Sequence, residues 1–139
     1  MPRIPRPVFA GIPHHITQRS NRRENVFFTD GDRAAYLGWL AHYCAQFGVQ
    51  VLAYCLMTNH LHLIAIPPRE DALEKTLRPL HTRYAQRVKR ARSWSGHVWQ
   101  GRFFSSALDA RYLWAARQSL QPTPHGRPRK ADSECDFAG

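Results

Sequence analysis

The sequence predicts an α+β domain of the ferredoxin-like, split β-α-β type, in which the helices cover one face of an antiparallel sheet. The length, the composition and the order of the predicted elements lead to this fold. With 139 residues the chain can bury one core but hardly two, and 43% of its residues are hydrophobic, as in globular proteins. Periodicities typical of strands and helices then follow one another in the order strand, helix, strand, strand, helix, strand, helix.

The first two elements are a strand and a helix. Residues 7–18 are predicted to form a strand that Pro13 interrupts. Residues 31–47 place apolar side chains at i, i+1, i+4, i+7, i+8 and i+11, which is one face of an amphipathic helix. Asp30 is the predicted N-cap, and Gly48 suits the left-handed turn that ends many helices.

The next two elements form a predicted hairpin. Residues 49–56 are rich in β-branched and aromatic side chains, and residues 60–66 are mostly apolar, so each segment predicts a strand. Because the link between the two segments is so short, we expect the strands to pair in an antiparallel manner.

The second half of the chain begins with a long basic helix. Glu70 and Asp71 open this helix, and its apolar stripe runs from Leu73 through Tyr84 to Val88. Pro79 lacks the N–H that an internal helical residue donates, so we expect it to kink the helix or to split it in two.

A last strand and a last helix complete the predicted domain. Residues 102–108 predict the strand, and Asp109 can cap a helix that runs to about residue 118. We therefore assign residues 1–118 to the domain, which is incomplete at its last helix. Residues 119–139 are rich in proline and glycine and predict an irregular, flexible tail.

The charge balance favours a polyanionic partner. Lysine and arginine outnumber aspartate and glutamate by 20 to 10, which gives a net charge of +10. Nucleic acid is the first candidate for such a partner, and a basic protein without one is the alternative. The basic helix has no acid between residues 78 and 92, so it is a candidate DNA contact rather than only a solvated face, through Arg83, Arg87, Lys89 and Arg90. Three further candidates lie in or beside the polar segment 20–25, namely Arg19, Arg22 and Arg23.

A group of aromatic residues follows the basic helix. These side chains could stack on the bases of a single strand, and they are Trp94, Trp99, Phe103 and Phe104. The alternative is that they belong to the core, and we expect at least one of the two phenylalanines there.

Two histidines at the start of the third predicted strand are the strongest candidates for a site. Residues i and i+2 of a strand point to the same face, so His60 and His62 project side by side, with Cβ atoms roughly 6.5–7 Å apart. Imidazole is a common metal ligand near neutral pH, and two imidazoles leave open coordination positions. The alternative is a pair of half-buried histidines whose ring nitrogens bond to backbone carbonyls. His14 and His15 are adjacent, so at most one of them can point into any site.

Other chemistries lack their motifs. The sequence has no GxxxxGK[ST] loop for nucleoside triphosphates and no GxSxG elbow for a serine nucleophile. Its carboxylates are few and scattered, which argues against a two-metal nuclease site. The three cysteines form no CxxC pair and predict neither a cysteine zinc site nor a disulfide framework. Without a signal peptide or a membrane span in the sequence, we expect a cytoplasmic protein with no membrane partner.

Four segments resemble one family when they are taken together. "HHITQRSNRRENVFF", "LMTNHLHLIAIP", "LHTRYAQRVKR" and "SGHVWQGRFFSSALDARYL" occur in this order over about residues 8–116. They resemble the REP-associated tyrosine transposases, which are insertion-sequence transposases of the single-tyrosine HUH class. The resemblance implies a ferredoxin-like fold and a divalent metal, Mg²⁺ or Mn²⁺, on His60 and His62. It also implies cleavage and rejoining of single-stranded or hairpin DNA through a 5′-phosphotyrosine, and a possible homodimer.

The resemblance fails where the family carries its nucleophile. The family's tyrosine lies about two helical turns after the residue that matches Tyr112, and Ser119 stands at that position here. No tyrosine follows Tyr112, so Tyr112 is the remaining candidate in that part of the chain. A frameshifted or decayed end after about Ala116 is our hypothesis for this loss. The alternatives to an active transposase are a catalytically inactive DNA-binding remnant and a zinc-stabilised basic protein without DNA chemistry.

Overall fold

The computed structural model describes residues 7–108 and the short strand 134–136. The predicted order of elements is confirmed over this part of the chain. The predicted last helix and most of the predicted tail lie outside the described residues. The elements are β1 (His14–Arg19), α1 (Asp30–Phe47), β2 (Gln50–Leu56), β3 (His60–Ile66), α2 (Ala72–Arg92), β4 (Phe104–Ala107) and β5 (Glu134–Asp136).

The strands form one antiparallel sheet in the order β4-β1-β3-β2-β5. Strands β1 and β2 both pair antiparallel with β3, which lies between them, so they run parallel to each other and α1 connects them. This connection is the split β-α-β unit that the sequence predicts. Strand β5 lies within the segment for which the sequence predicts no regular element.

The two faces of the sheet differ, because side chains alternate along each strand. On one face the side chains are buried with those of α1 and α2 in the core; from β1 and β3 they include Ile16, Leu61, Leu63 and Ala65. The opposite face, which we call the open face, carries half-buried side chains that include His15, Thr17, His60 and His62. Neither α1 nor α2, the helices of the described part, has the length and hydropathy of a membrane span.

The N-terminus of α1 corrects one prediction. Thr29, not Asp30, is the N-cap: its Oγ1 accepts a hydrogen bond from the backbone N–H of Asp32 at 3.1 Å. Asp32 Oδ2 accepts from the N–H of Thr29 at 3.1 Å, so the two residues form a capping box. Gly48 ends the helix with φ of 74°, as predicted.

Helix α2 excludes one of the two effects predicted for Pro79. It is one helix from Ala72 to Arg92 with Pro79 inside it, so the proline does not split it. The apolar stripe explains this continuity, because Leu77 and Tyr84, on either side of the proline, are both buried in the same core. Tyr84 also donates a hydrogen bond from its hydroxyl to the backbone carbonyl of Val26.

The core includes a buried polar cluster around His81. This side chain is 5% exposed, its Nε2 lies 2.9 Å from the Tyr36 hydroxyl, and its Nδ1 lies 3.4 Å from Nε2 of Gln18. Burial lowers the pKa of His81 to about 3, so the ring is neutral at physiological pH.

The cysteines depart from expectation. Cys55 is disulfide-bonded, whereas Cys44 is a buried free thiol. The sheet places Cys135 of β5 opposite Cys55 of β2. The pairing of β2 with β5 joins distant parts of the chain, and no spacing of cysteines in the sequence could predict it.

Candidate metal and DNA site

His60 and His62 lie together on the open face, as the strand alternation predicts. Their ring centroids are 5.0 Å apart and the ring planes are nearly perpendicular, at 85°. Both side chains are half-buried. Leu61 and Leu63 point into the core, and because a one-residue slip would expose them, they fix the side of the sheet on which the imidazoles lie.

The Nδ1 atom of His60 is held by its sequence neighbour. It lies 2.7 Å from Oδ1 of Asn59, while Nδ2 of Asn59 lies 3.4 Å from the carbonyl oxygen of Arg23. The carboxamide therefore presents its oxygen to the ring, and His60 must donate from Nδ1. In the neutral ring this places the lone pair on Nε2, the atom that can bind a metal.

The Nδ1 atom of His62 is held by a third histidine. Nε2 of His15 lies 3.0 Å from it, and the two rings are nearly coplanar, with centroids 5.2 Å apart and an angle of 8° between their planes. This contact is compatible with the same tautomer, in which His62 donates from Nδ1 and keeps its Nε2 lone pair free. His14 points to the other face and is fully buried, so only one of the two adjacent histidines reaches the site, as predicted.

The role of His15 could not be assigned from the sequence. Strand β1 pairs with β3 so that Thr17 lies opposite His62 and His15 opposite Ile64, which makes His15 and His62 diagonal neighbours. Alternation shows that His14 and His15 point to different faces, but only this register shows which of them meets His62.

The electrostatic surroundings keep the imidazoles neutral. Burial lowers the pKa of His15, His60 and His62 below the ordinary value for histidine. The positive charge of Arg19 lowers the pKa of His60 further. The pKa of His62 is lowered further by the neighbouring His15 and His60, and to a smaller extent by Arg19. Neutral rings carry the lone pairs that a metal ion requires.

This donor set fits a divalent metal ion with open coordination positions. His60 and His62 could supply two nitrogen ligands, and the Nδ1 atom of each ring has a hydrogen-bond partner of the kind that orients metal-binding histidines. Within residues 7–108 and 134–136, no cluster of three or more histidine, cysteine or acidic residues is placed to hold a metal. Among these residues, the other coordination positions are therefore left to waters or substrate oxygens.

The predicted DNA contacts divide into two groups. Arg19 lies opposite His60 in the sheet. Arg22 and Arg23 form a turn just after β1, and the side chain of Asn59 donates a hydrogen bond to the carbonyl oxygen of Arg23. All three arginines are exposed. They are therefore at the same end of the sheet as the histidines.

The arginines of α2 do not share that location, because α2 covers the opposite face of the sheet. The guanidinium of Arg83 lies 5.1 Å from the ring centroid of Trp39 on α1. Nε of Arg87 lies 3.2 Å from Oδ1 of Asp32, also on α1. Lys89 and Arg90 are exposed. The basic helix and the histidine pair thus form two separate surfaces.

The aromatic candidates also divide. Trp99 and Phe103 are buried in the core, which confirms the prediction that at least one phenylalanine belongs there. Trp94 is half-buried against the core, and Phe104 is exposed. Tyr112, the candidate nucleophile, lies outside the described residues.

The split β-α-β sheet with a histidine pair on its open face is the arrangement expected of an HUH-class transposase. The family model for IS200-like transposases matches residues 9–118, and the chain belongs to this family. No curated protein matches it in sequence.

Two solved structures have the same fold. One is a REP-associated tyrosine transposase bound to a REP hairpin, with a TM-score of 0.64 and 17% identity, over 84% of this chain and 68% of that one. The other is a candidate transposase from Deinococcus radiodurans R1, with a TM-score of 0.57 and 16% identity, over 86% of this chain and 95% of that one.

Proposed function

We propose that this protein is a DNA transposase of the single-tyrosine HUH type. It binds single-stranded or hairpin DNA and cleaves and rejoins it through a 5′-phosphotyrosine, with Mg²⁺ or Mn²⁺ as cofactor. The observation that carries the proposal is the pair His60 and His62, which share the open face with Nδ1 engaged in both rings. Membership in the IS200-like family and the hairpin bound by the matched transposase support DNA as the substrate.

Each residue of the site has a distinct task. His60 and His62 would hold the metal ion, which would supply polarisation of the scissile phosphate and neutralisation of its developing charge. Asn59 and His15 fix the orientation of the two rings. Arg19, exposed beside His60, pairs with a phosphate of the bound strand.

Tyr112 is the candidate nucleophile. Its hydroxyl oxygen attacks phosphorus and gives up its proton to solvent. The bond from phosphorus to the 3′ oxygen breaks, and the released oxygen takes up a proton from solvent to become a 3′-OH. The phosphotyrosine conserves the bond energy, so rejoining requires no ATP. A tyrosine with an ordinary pKa of about 10 is a poor nucleophile at pH 7, which is why the cationic surroundings of the phosphate matter.

A second candidate function is a catalytically inactive DNA-binding remnant of the same fold. The absence of any tyrosine after Tyr112 favours it, since the family's nucleophile is expected about two turns later. The remnant would keep the basic surface and the metal pair and lack the covalent step. A homodimer, implied by the family resemblance, and a cytoplasmic location, expected from the sequence, apply to either candidate.

The experiment that separates them detects the covalent intermediate. A hairpin oligonucleotide with a single-stranded flank and a label at its 3′ end is incubated with the protein and Mn²⁺, and a labelled adduct is sought on a denaturing gel. The transposase forms the adduct, Tyr112→Phe abolishes it, and Tyr43→Phe, a matched change on α1, retains it. Salt-sensitive binding without an adduct indicates the remnant, and absence of salt-sensitive binding overturns both candidates.

A further inference from the structure

An exposed aromatic side chain shares a row of the sheet with the histidine pair. Strand β4 pairs with β1 so that Phe104 lies opposite Thr17, and β1 pairs with β3 so that Thr17 lies opposite His62. Directly opposite residues of antiparallel strands point to the same face. Phe104 and His62 therefore both lie on the open face, two strand spacings or roughly 10 Å apart.

Phe104 makes little contribution to the core. It is 63% exposed, the highest value among the exposed large apolar side chains of the described residues. Its neighbours Phe103 and Ser105 are buried and point to the helix side of the sheet. Phe28, another exposed phenylalanine, is covered by the guanidinium of Arg92, which lies 4.0 Å from its ring centroid.

The charges on the same face indicate what could cover this ring. Arg19 lies two residues after Thr17 on β1, so its exposed side chain is on the same face of the strand, opposite His60. The face thus combines a cation, a pair of metal-binding imidazoles and a free aromatic ring. A ligand that matches all three has an anionic group and a planar ring, and a nucleotide of a DNA strand has both.

We propose that Phe104 is a stacking platform for one unpaired base of the DNA strand whose phosphate lies at His60 and His62. The base must be unpaired, because bases inside a duplex already stack on their neighbours and expose only their edges. This inference rests on the proposed function, since it assumes that single-stranded DNA occupies the open face. Stacking tolerates any base, so Phe104 adds affinity and holds the strand in place without selecting a sequence.

Binding of single-stranded oligonucleotides to the full chain tests the proposal, with fluorescence anisotropy as the measurement. Phe104→Ala is expected to weaken binding roughly 5- to 150-fold, the range for loss of one base–aromatic stack. Phe104→Trp retains affinity, and Phe28→Ala, a matched change outside the row, leaves it unchanged. The thermal midpoint of Phe104→Ala confirms that the variant is folded.

An abasic scan of the oligonucleotide locates the stacked base. In the wild-type protein one abasic position should weaken binding more than the others, and in Phe104→Ala that position should no longer differ from them. If the wild-type protein binds DNA and Phe104→Ala binds it with the same affinity, the stacking proposal is overturned and the proposed function is not. Loss of self-association with unchanged DNA affinity also overturns it and assigns the face to contact between copies. Absence of salt-sensitive binding by the wild-type protein overturns the proposed function itself.

Discussion

His15→Phe tests how the structure prepares His62 for metal binding. The substitution removes Nε2, which lies 3.0 Å from Nδ1 of His62, and keeps an aromatic ring at this position of the open face. His62 binds a metal through Nε2 only while the proton of its neutral ring sits on Nδ1. The 3.0 Å contact allows His15 to accept that proton in a hydrogen bond, which would favour this tautomer; without His15 the two tautomers of His62 compete.

The expected magnitude follows from the contact. A hydrogen bond between neutral, half-buried groups contributes about 0.5–1.5 kcal/mol, and its upper end corresponds to a factor of about ten in affinity. Removal of the outer partner of a metal-binding histidine typically costs about 10- to 100-fold. The two ranges meet near tenfold, which is the predicted loss of Mn²⁺ affinity.

Titration with Mn²⁺, in which electron paramagnetic resonance measures the free ion, provides the assay without DNA. His42→Phe is the matched control, because His42 is an exposed histidine on α1, the helix that covers the other face of the sheet. Equal affinity of His15→Phe and the wild-type protein would refute the orienting role. A loss far beyond 100-fold would also refute it, because His15 would then be a ligand itself.

Three further predictions concern charge and stability. Arg19→Ala should weaken binding of single-stranded DNA and reduce the slope of log affinity against log salt by about 0.7, the value for one phosphate contact. Arg83→Ala should not lower the affinity for a strand on the open face. Equal effects of the two changes would show that the open face is not the principal contact. His81 should lower the stability by up to about 1.4 kcal/mol for each pH unit below 6.5, because this histidine is protonated in the unfolded chain but stays neutral in the folded one, where its pKa is about 3. Urea denaturation at pH 7 and pH 5 measures this slope, and an unchanged slope in His81→Gln would contradict the assignment. Asp32→Ala should lower the free energy of unfolding by about 1–3 kcal/mol, because it removes the capping box and the contact to Arg87, while Asp30→Ala should change it by less than about 0.5 kcal/mol. Similar losses for both variants, measured by urea denaturation at pH 7, would contradict the assignment of the cap.

Local patterns in the sequence predict much of the fold. The alternation from His60 to Ile66 gives the bounds of β3, the face of both histidines and the burial of Leu61 and Leu63. The apolar period of α1 predicts its extent to within one residue at its start, and Gly48 marks its end. These features depend on neighbours a few residues apart, which is the range that periodicity reports.

Features that depend on distant contacts were not predictable in the same way. The meeting of His15 and His62 requires the register of β1 against β3, and the pairing of Arg87 with Asp32 requires the packing of α2 on α1. Thr29 and Asp30 are both good capping residues, and only the backbone conformation selects Thr29. Phe103 and Phe104 are adjacent and chemically identical, so only the sheet shows which is buried and which faces solvent.

Location of a bound Mn²⁺ ion tests the central claim most directly, which is that His60 and His62 form a metal site through their Nε2 atoms. A crystal of the protein soaked in Mn²⁺ and measured for anomalous scattering gives the position of the ion. The account predicts an anomalous peak on the open face, within bonding distance of Nε2 in both rings. An anomalous peak elsewhere with no metal bound to His60 and His62, or ligation through Nδ1 of either ring, would contradict it.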